Sequence, residues 1–213
     1  MDDEKRALTL GASVAGHPGQ VRVNYLRWFF HRPTWPLLWA GLALLCLAGA
    51  LYLHWSWWIP TVLLLPWNFL YWVRVREHFW RGDANPGLVV SVDPLLIAVA
   101  TDLTKGMGTY PAVKIFRAGL RHIDGQLPRV GARIGTVALY TRSVDDNLPH
   151  WADFDPLPAQ YATGDPKAIS ALINSFTADE WTQLERYLHQ VPQPYQPGLY
   201  MINPESPSQE ERA

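Results

Sequence analysis

From residue 33 to residue 73 the chain runs 41 residues without an Asp, Glu, Lys or Arg. No other feature limits the fold as strongly. As one helix the run would extend about 60 Å at ~1.5 Å per residue. The hydrocarbon core of a bilayer is only about 30 Å thick. The run therefore reads as two spans folded back on each other, near residues 35–53 and 57–75, in a transmembrane hairpin over 35–76. The break falls at His54-Trp55-Ser56-Trp57-Trp58-Ile59-Pro60. Tryptophan favours the headgroup level, and proline suits the first turn of a new helix.

Whole-chain averages conceal this segment, since mean hydropathy is −0.08 and 17% of residues are charged. Residues 1–81 carry eight basic and four acidic side chains, whereas 82–213 carry ten and fifteen. Nine of the eleven Trp lie between Trp28 and Trp80. The split excludes a wholly soluble globule. Cys46 is the only cysteine, which excludes a disulfide-stapled domain. The polar part is acidic, so no nucleic-acid partner is expected.

Orientation follows from arginine. Arg22, Arg27 and Arg32 precede the first span, Arg74, Arg76 and Arg81 follow the second, and the turn has none. This predicts both termini in the cytoplasm, with the hairpin in the cell (inner, cytoplasmic) membrane. Gly41 and Gly49 permit close helix approach, and Asn68 needs a polar partner in lipid, so all three are helix-packing candidates. They point to self-association or a membrane-protein partner besides the bilayer itself. Residues 1–20 read as a disordered tail without a signal peptide, and 21–34, with interleaved basic and aromatic side chains, as an interfacial segment.

Beyond Gly82-Asp83-Ala84-Asn85-Pro86-Gly87, which reads as a linker or turn, short β-like runs occupy 88–92, 95–100, 110–116 and 133–142, with a further short strand at 161–163. Asp165-Pro166 is an N-cap signal, and Thr177-Ala178-Asp179-Glu180 a capping box. The expected fold is a membrane α-helical hairpin followed by a small mainly-β, barrel-like cytoplasmic domain over 82–191, with two C-terminal helices (α+β). Residues 192–213 read as a Pro-rich tail without regular structure, its Tyr195, Leu199, Tyr200 and Met201 lying along the domain.

Chemistry is sparse. Lys105-Gly106-Met107-Gly108-Thr109 lacks phosphate-loop spacing and reads as a hairpin turn. Asp145, Asp146, His150, Asp153 and Asp155 form the densest polar cluster, on what reads as an irregular loop over 144–158. His150, Asp153 and Asp155 are the candidates for a metal or acid–base site. No second His stands nearby at ligand spacing, and Asp and Asn also collect in loops for turn chemistry. No cofactor is expected.

Asn85-Pro86-Gly87-Leu88-Val89-Val90-Ser91, Leu96-Ile97-Ala98-Val99-Ala100-Thr101-Asp102-Leu103 and Tyr110-Pro111-Ala112-Val113-Lys114 resemble stretches of uncharacterised bacterial membrane proteins in which a transmembrane hairpin precedes a mainly-β domain of unknown function. The resemblance covers about a third of the chain and implies a β domain behind a membrane anchor, with no activity attached. The layout is also similar to membrane proteins carrying a small oligonucleotide-fold barrel after their spans, at the level of architecture. The expected function is a non-enzymatic, membrane-tethered interaction or scaffold module. The alternatives are a metal-dependent hydrolase using His150, Asp153 and Asp155, and an accessory subunit of a transport or secretion complex.

Overall fold

The computed structural model describes residues 16–105, 107–123, 125–142 and 148–203. Six strands form one antiparallel sheet: β1 (Asp83–Val92), β2 (Leu95–Asp102), β3 (Pro111–Arg117), β4 (Arg133–Thr141), β5 (Asp153–Pro158) and β6 (Gly198–Met201). Their order is β5-β4-β1-β2-β3-β6. The sheet curls into a half-barrel, because β3 and β5 meet although three strands separate them in that order. Lys114 of β3 donates from Nζ to both Asp153 oxygens of β5, at 2.8 and 2.9 Å. Just beyond β2, the Leu103 carbonyl accepts from Trp151 N–H at 2.7 Å. Val89, Ile97, Val99, Ile134 and Phe154 are fully buried on one face of the sheet, and Val113 and Val137 on the other.

Three helices cover the barrel: α4 (Ala159–Ala162), α5 (Pro166–Asn174) and α6 (Ala178–Leu188). Both capping signals are realised. Asp165 accepts from Lys167 N–H, and Thr177 and Glu180 cap each other's backbone. Buried Leu172 of α5 and Trp181 and Leu184 of α6 supply the apolar faces that neither helix could bury alone. A Cβ on Gly135 of β4 would stand 2.7 Å from Leu172, so glycine is what lets α5 approach the sheet.

Before the barrel come α1 (Tyr25–His31), α2 (Thr34–Tyr52) and α3 (Trp58–Arg81), with a single 3-10 turn (Trp55–Trp57) between the last two. α3 runs back along α2. The Trp39 and Trp67 rings stack at 6.3 Å, and Gly49 seats the Trp57 ring, which a Cβ there would meet at 2.6 Å. α2 is long and apolar enough to cross a membrane by length and composition, with mean hydropathy 1.7. α3 does not end where its uncharged part ends. It continues to Arg81 and buries Val75, His78 and Phe79 against the barrel, and only Gly82 separates it from β1.

Several segments depart from their sequence-based expectations. Residues 83–87, expected as a linker, open β1 and pair with β4. Residues 16–20, expected in a disordered tail, lie against the start of β1 and the end of α3: Ala84 N–H donates to His17 O at 2.7 Å and Gly19 N–H to Gly82 O at 2.9 Å. The expected loop contains β5, where Pro156 and Pro158 are accommodated because β5 is an edge strand. Residues 161–163, expected extended, lie at the end of α4. The Pro-rich tail contributes β6, pairing with β3 from Ala112↔Met201 to Ile115↔Gly198. Its prolines flank the four-residue strand and leave its N–H groups intact. Residues 1–15, Gly106, Asp145, Asp146, Pro204 and Pro207 lie outside the described residues.

Candidate functional site

The residues singled out in the sequence occupy two of three places, and the remaining one holds a polar cleft. The first is the loop and strand around His150. Asp153 is ion-paired with Lys114 at 2.8 Å, and its Oδ1 also accepts from Phe154 N–H at 2.8 Å. His150 uses Nδ1 against the Trp151 carbonyl at 2.8 Å and packs its ring on Tyr110. Asp155 lies two residues further along β5, opposite Leu139. Among the described residues, no three His, Cys, Asp or Glu side chains are grouped to hold a metal ion. The geometry of His150 and Asp153 is that of a seam closing the barrel between β3 and β5. Sequence pattern shows acidic residues on a Pro-rich stretch. It does not show that a lysine 39 positions away reaches one of them.

The second place is a cleft that sequence reading passed over. β1 pairs with β2 only from Gly87 onward, whereas its pairing with β4 starts at Asp83. Pro86, with no N–H to give, stands where the β1–β2 ladder stops. The gap between the start of β1 and the end of β2 leaves a cleft of about 310 Å³, bordered by Asp83, Thr101, Asp102, Tyr140, Glu180 and Gln183 among others. Tyr140 O–H donates to Asp83 Oδ2 at 2.8 Å and lies 2.6 Å from the Thr101 hydroxyl. Burial, then the neighbouring Asp83 charge, pushes the Tyr140 hydroxyl well above the ordinary phenol range, so it remains a proton donor. Asp83 Oδ1 accepts from His17 N–H at 3.1 Å. Asp102 is engaged by Thr104 and Tyr110 N–H, each at 3.0 Å, and Glu180 by Thr177 N–H at 2.7 Å. Each of the three carboxylates thus already accepts from a backbone N–H. The cleft ties the residues before α1 to the barrel.

The third place is the helix pair and its basic end. Gly41 would meet nothing with an added Cβ, while Gly49 contacts the Trp57 ring. Asn68 finds its partner within its own helix, accepting from Trp72 Nε1 at 3.2 Å. Of the six flanking arginines, Arg81 pairs with Glu77 at 3.6 Å and Arg32 lies over the Trp28 ring at 5.8 Å. Arg27 donates from Nε to the Gln160 carbonyl at 2.6 Å. Arg22, Arg74 and Arg76 are exposed. His78, beyond the uncharged run, approaches the Val137 carbonyl through Nε2 at 2.8 Å. Burial holds its pKa below the ordinary histidine value, so it is neutral and donates there.

The chain is similar to the crystal structure of a putative membrane protein from Corynebacterium diphtheriae, with 21% identity and a TM-score of 0.46 over 56% of this chain and 100% of that one. No curated protein matches. A family described as a protein of unknown function, DUF3239, matches residues 72–192, from the C-terminal part of α3 through β1–β5 and α4–α6. The stretches at 85–91, 96–103 and 110–114 all fall inside that match, which takes in more than half of the chain. The chain belongs to the DUF3239 family.

Proposed function

We propose that this protein is a membrane-anchored interaction module: α2 and α3 cross the bilayer as a two-span hairpin, both termini lie in the cytoplasm, and the half-barrel is a non-enzymatic docking domain held at the inner surface. One observation carries the anchoring. The two helices expose apolar side chains outward, among them Leu44, Leu45, Leu51, Ile59, Leu63, Leu65 and Phe69, each 57–69% exposed. Lipid tails cover such a surface at no cost, whereas water does not. The helix pair has tryptophans at its turn and arginines at its barrel end, which matches headgroup belts and a cytoplasmic positive face. The domain's role rests on the carboxylates of its cleft and seam being engaged in holding the fold.

The test is alkaline carbonate extraction of membranes holding the tagged full-length chain, then mild detergent extraction, crosslinking and identification of what co-purifies. Retention in the membrane with a stoichiometric protein partner, or a second copy, is the expected outcome. Release by carbonate overturns the anchor. A strictly monomeric, partnerless protein overturns the docking role.

A further inference from the structure

Beside α1 lies a hollow of about 670 Å³ whose charged lining, among the described residues, is basic: Arg27 and His31 from α1, and Arg121 and His122 from the segment after β3, with Phe30 and Leu120 between them. Among the described residues no carboxylate pairs with Arg27 or Arg121. Arg27 is held by its Nε bond to the Gln160 carbonyl, and Gly164 leaves room for the guanidinium, since a Cβ there would stand 2.8 Å from Nη1. Nη1 and Nη2 carry the donors left for an anion. The same short helix turns Leu26 and Phe30 outward, at 72% and 79% exposed. His31 ends α1 three residues before α2 begins. Burial, then the Arg27 charge, holds the His31 pKa below the ordinary value, so His31 stays neutral beside Arg27.

We infer that this hollow binds the phosphate of an anionic phospholipid headgroup, Arg27 and Arg121 clamping the phosphate while Leu26 and Phe30 enter the acyl boundary. Guanidinium groups match phosphate oxygens in paired hydrogen bonds. An uncompensated basic site beside exposed Leu and Phe fits a charged headgroup with attached chains better than it fits a small soluble anion. The inference rests on the anchored reading, which brings the hollow to headgroup level.

The experiment is native mass spectrometry of the full-length protein in uncharged detergent, titrated with phosphatidylglycerol and separately with phosphatidylcholine of the same acyl chains. Wild type is expected to bind phosphatidylglycerol at least about tenfold more tightly. Arg121→Gln, which lies in an exposed loop, and Arg27→Gln are each expected to weaken phosphatidylglycerol about tenfold and to narrow its preference over phosphatidylcholine, whose like phosphate carries a choline cation that the arginines repel. Equal affinity for the two lipids, or full retention of the preference in Arg121→Gln and in the double variant, overturns the inference. Displacement of the lipid by millimolar inorganic phosphate overturns the lipid assignment in favour of a soluble phosphate compound. Carbonate extraction of the same membranes separates the two failures. A released chain refutes the anchor, and a retained chain without lipid preference refutes only this site.

Discussion

Removing the Asp153 carboxylate tests whether that residue is a structural clasp. In the folded chain Lys114 Nζ meets both Asp153 oxygens and the Phe154 carbonyl, and it lies 5.8 Å from the centre of the Phe154 ring. The Lys114 side chain is 20% exposed and that of Asp153 45%. Exposed pairs contribute about 0–1 kcal/mol, and breaking a buried pair costs about 3–5 kcal/mol. A pair between those limits, which also stops the Phe154 N–H, sets the cost of Asp153→Ala near 2 kcal/mol. Lys114→Met removes the charge together with its need for a partner while keeping the apolar stem, and is expected to cost about 1 kcal/mol. For a domain of this size that corresponds to a Tm lower by roughly 6–10 °C for Asp153→Ala and roughly half that for Lys114→Met. Near-ultraviolet circular dichroism of the full-length protein in detergent reads the transition through Trp151, beside the seam. Asp153→Ala melting within about 1 °C of wild type refutes the clasp. So does a zinc or manganese affinity of the wild-type chain that the same substitution abolishes, because Asp153 would then be a ligand.

Three further outcomes follow from the same geometry. Gly49→Leu drives a side chain into the Trp57 ring and is expected to lower the detergent Tm by several degrees, whereas Gly41→Leu, facing open space, leaves it unchanged and weakens self-association only where that face carries it. His78 has a folded pKa below its unfolded value, so its contribution to stability is full above pH ~6.5 and is lost as pH falls below it, by at most about 1.4 kcal/mol per pH unit. Urea melts between pH 7.5 and 5 are expected to show this loss, and His78→Gln to flatten it. Thr177→Ala removes the hydroxyl that caps α6 and is expected to cost about 1 kcal/mol in the same melts.

The helix pair, the four longest strands and both C-terminal caps were legible because each has a local cause: an uncharged run of known length, β-rich runs between turn residues, and Asp-Pro or Thr-x-x-Glu at a helix start. The misread segments depend on distant partners. Asp83–Gly87 has the composition of a turn, but β4 offers it a full ladder, and Pro86 is tolerated where β2 stops. Pro156 and Pro158 argue against a central strand and are harmless on an edge. Gly198–Met201 is short and hemmed by proline, and becomes a strand only because β3 has a free edge. Asn68 needs a polar partner in lipid, and its Oδ1 takes one from Trp72 one turn away. The basic hollow was invisible for the same reason: Arg27 and Arg121 are 94 positions apart, and only the fold brings them to one lining.

Thiol accessibility decides whether α2 and α3 place the chain across a bilayer. Cys46 is the only cysteine, so Cys46→Ser supplies a thiol-free background. Ser56→Cys then marks the turn between α2 and α3, and Ser170→Cys an exposed position on α5. A membrane-impermeant maleimide applied to intact spheroplasts is expected to label Ser56→Cys at once, and Ser170→Cys only after the membrane is opened. Labelling of both positions, or of Ser170→Cys alone, in sealed spheroplasts contradicts a two-span hairpin with its domain in the cytoplasm.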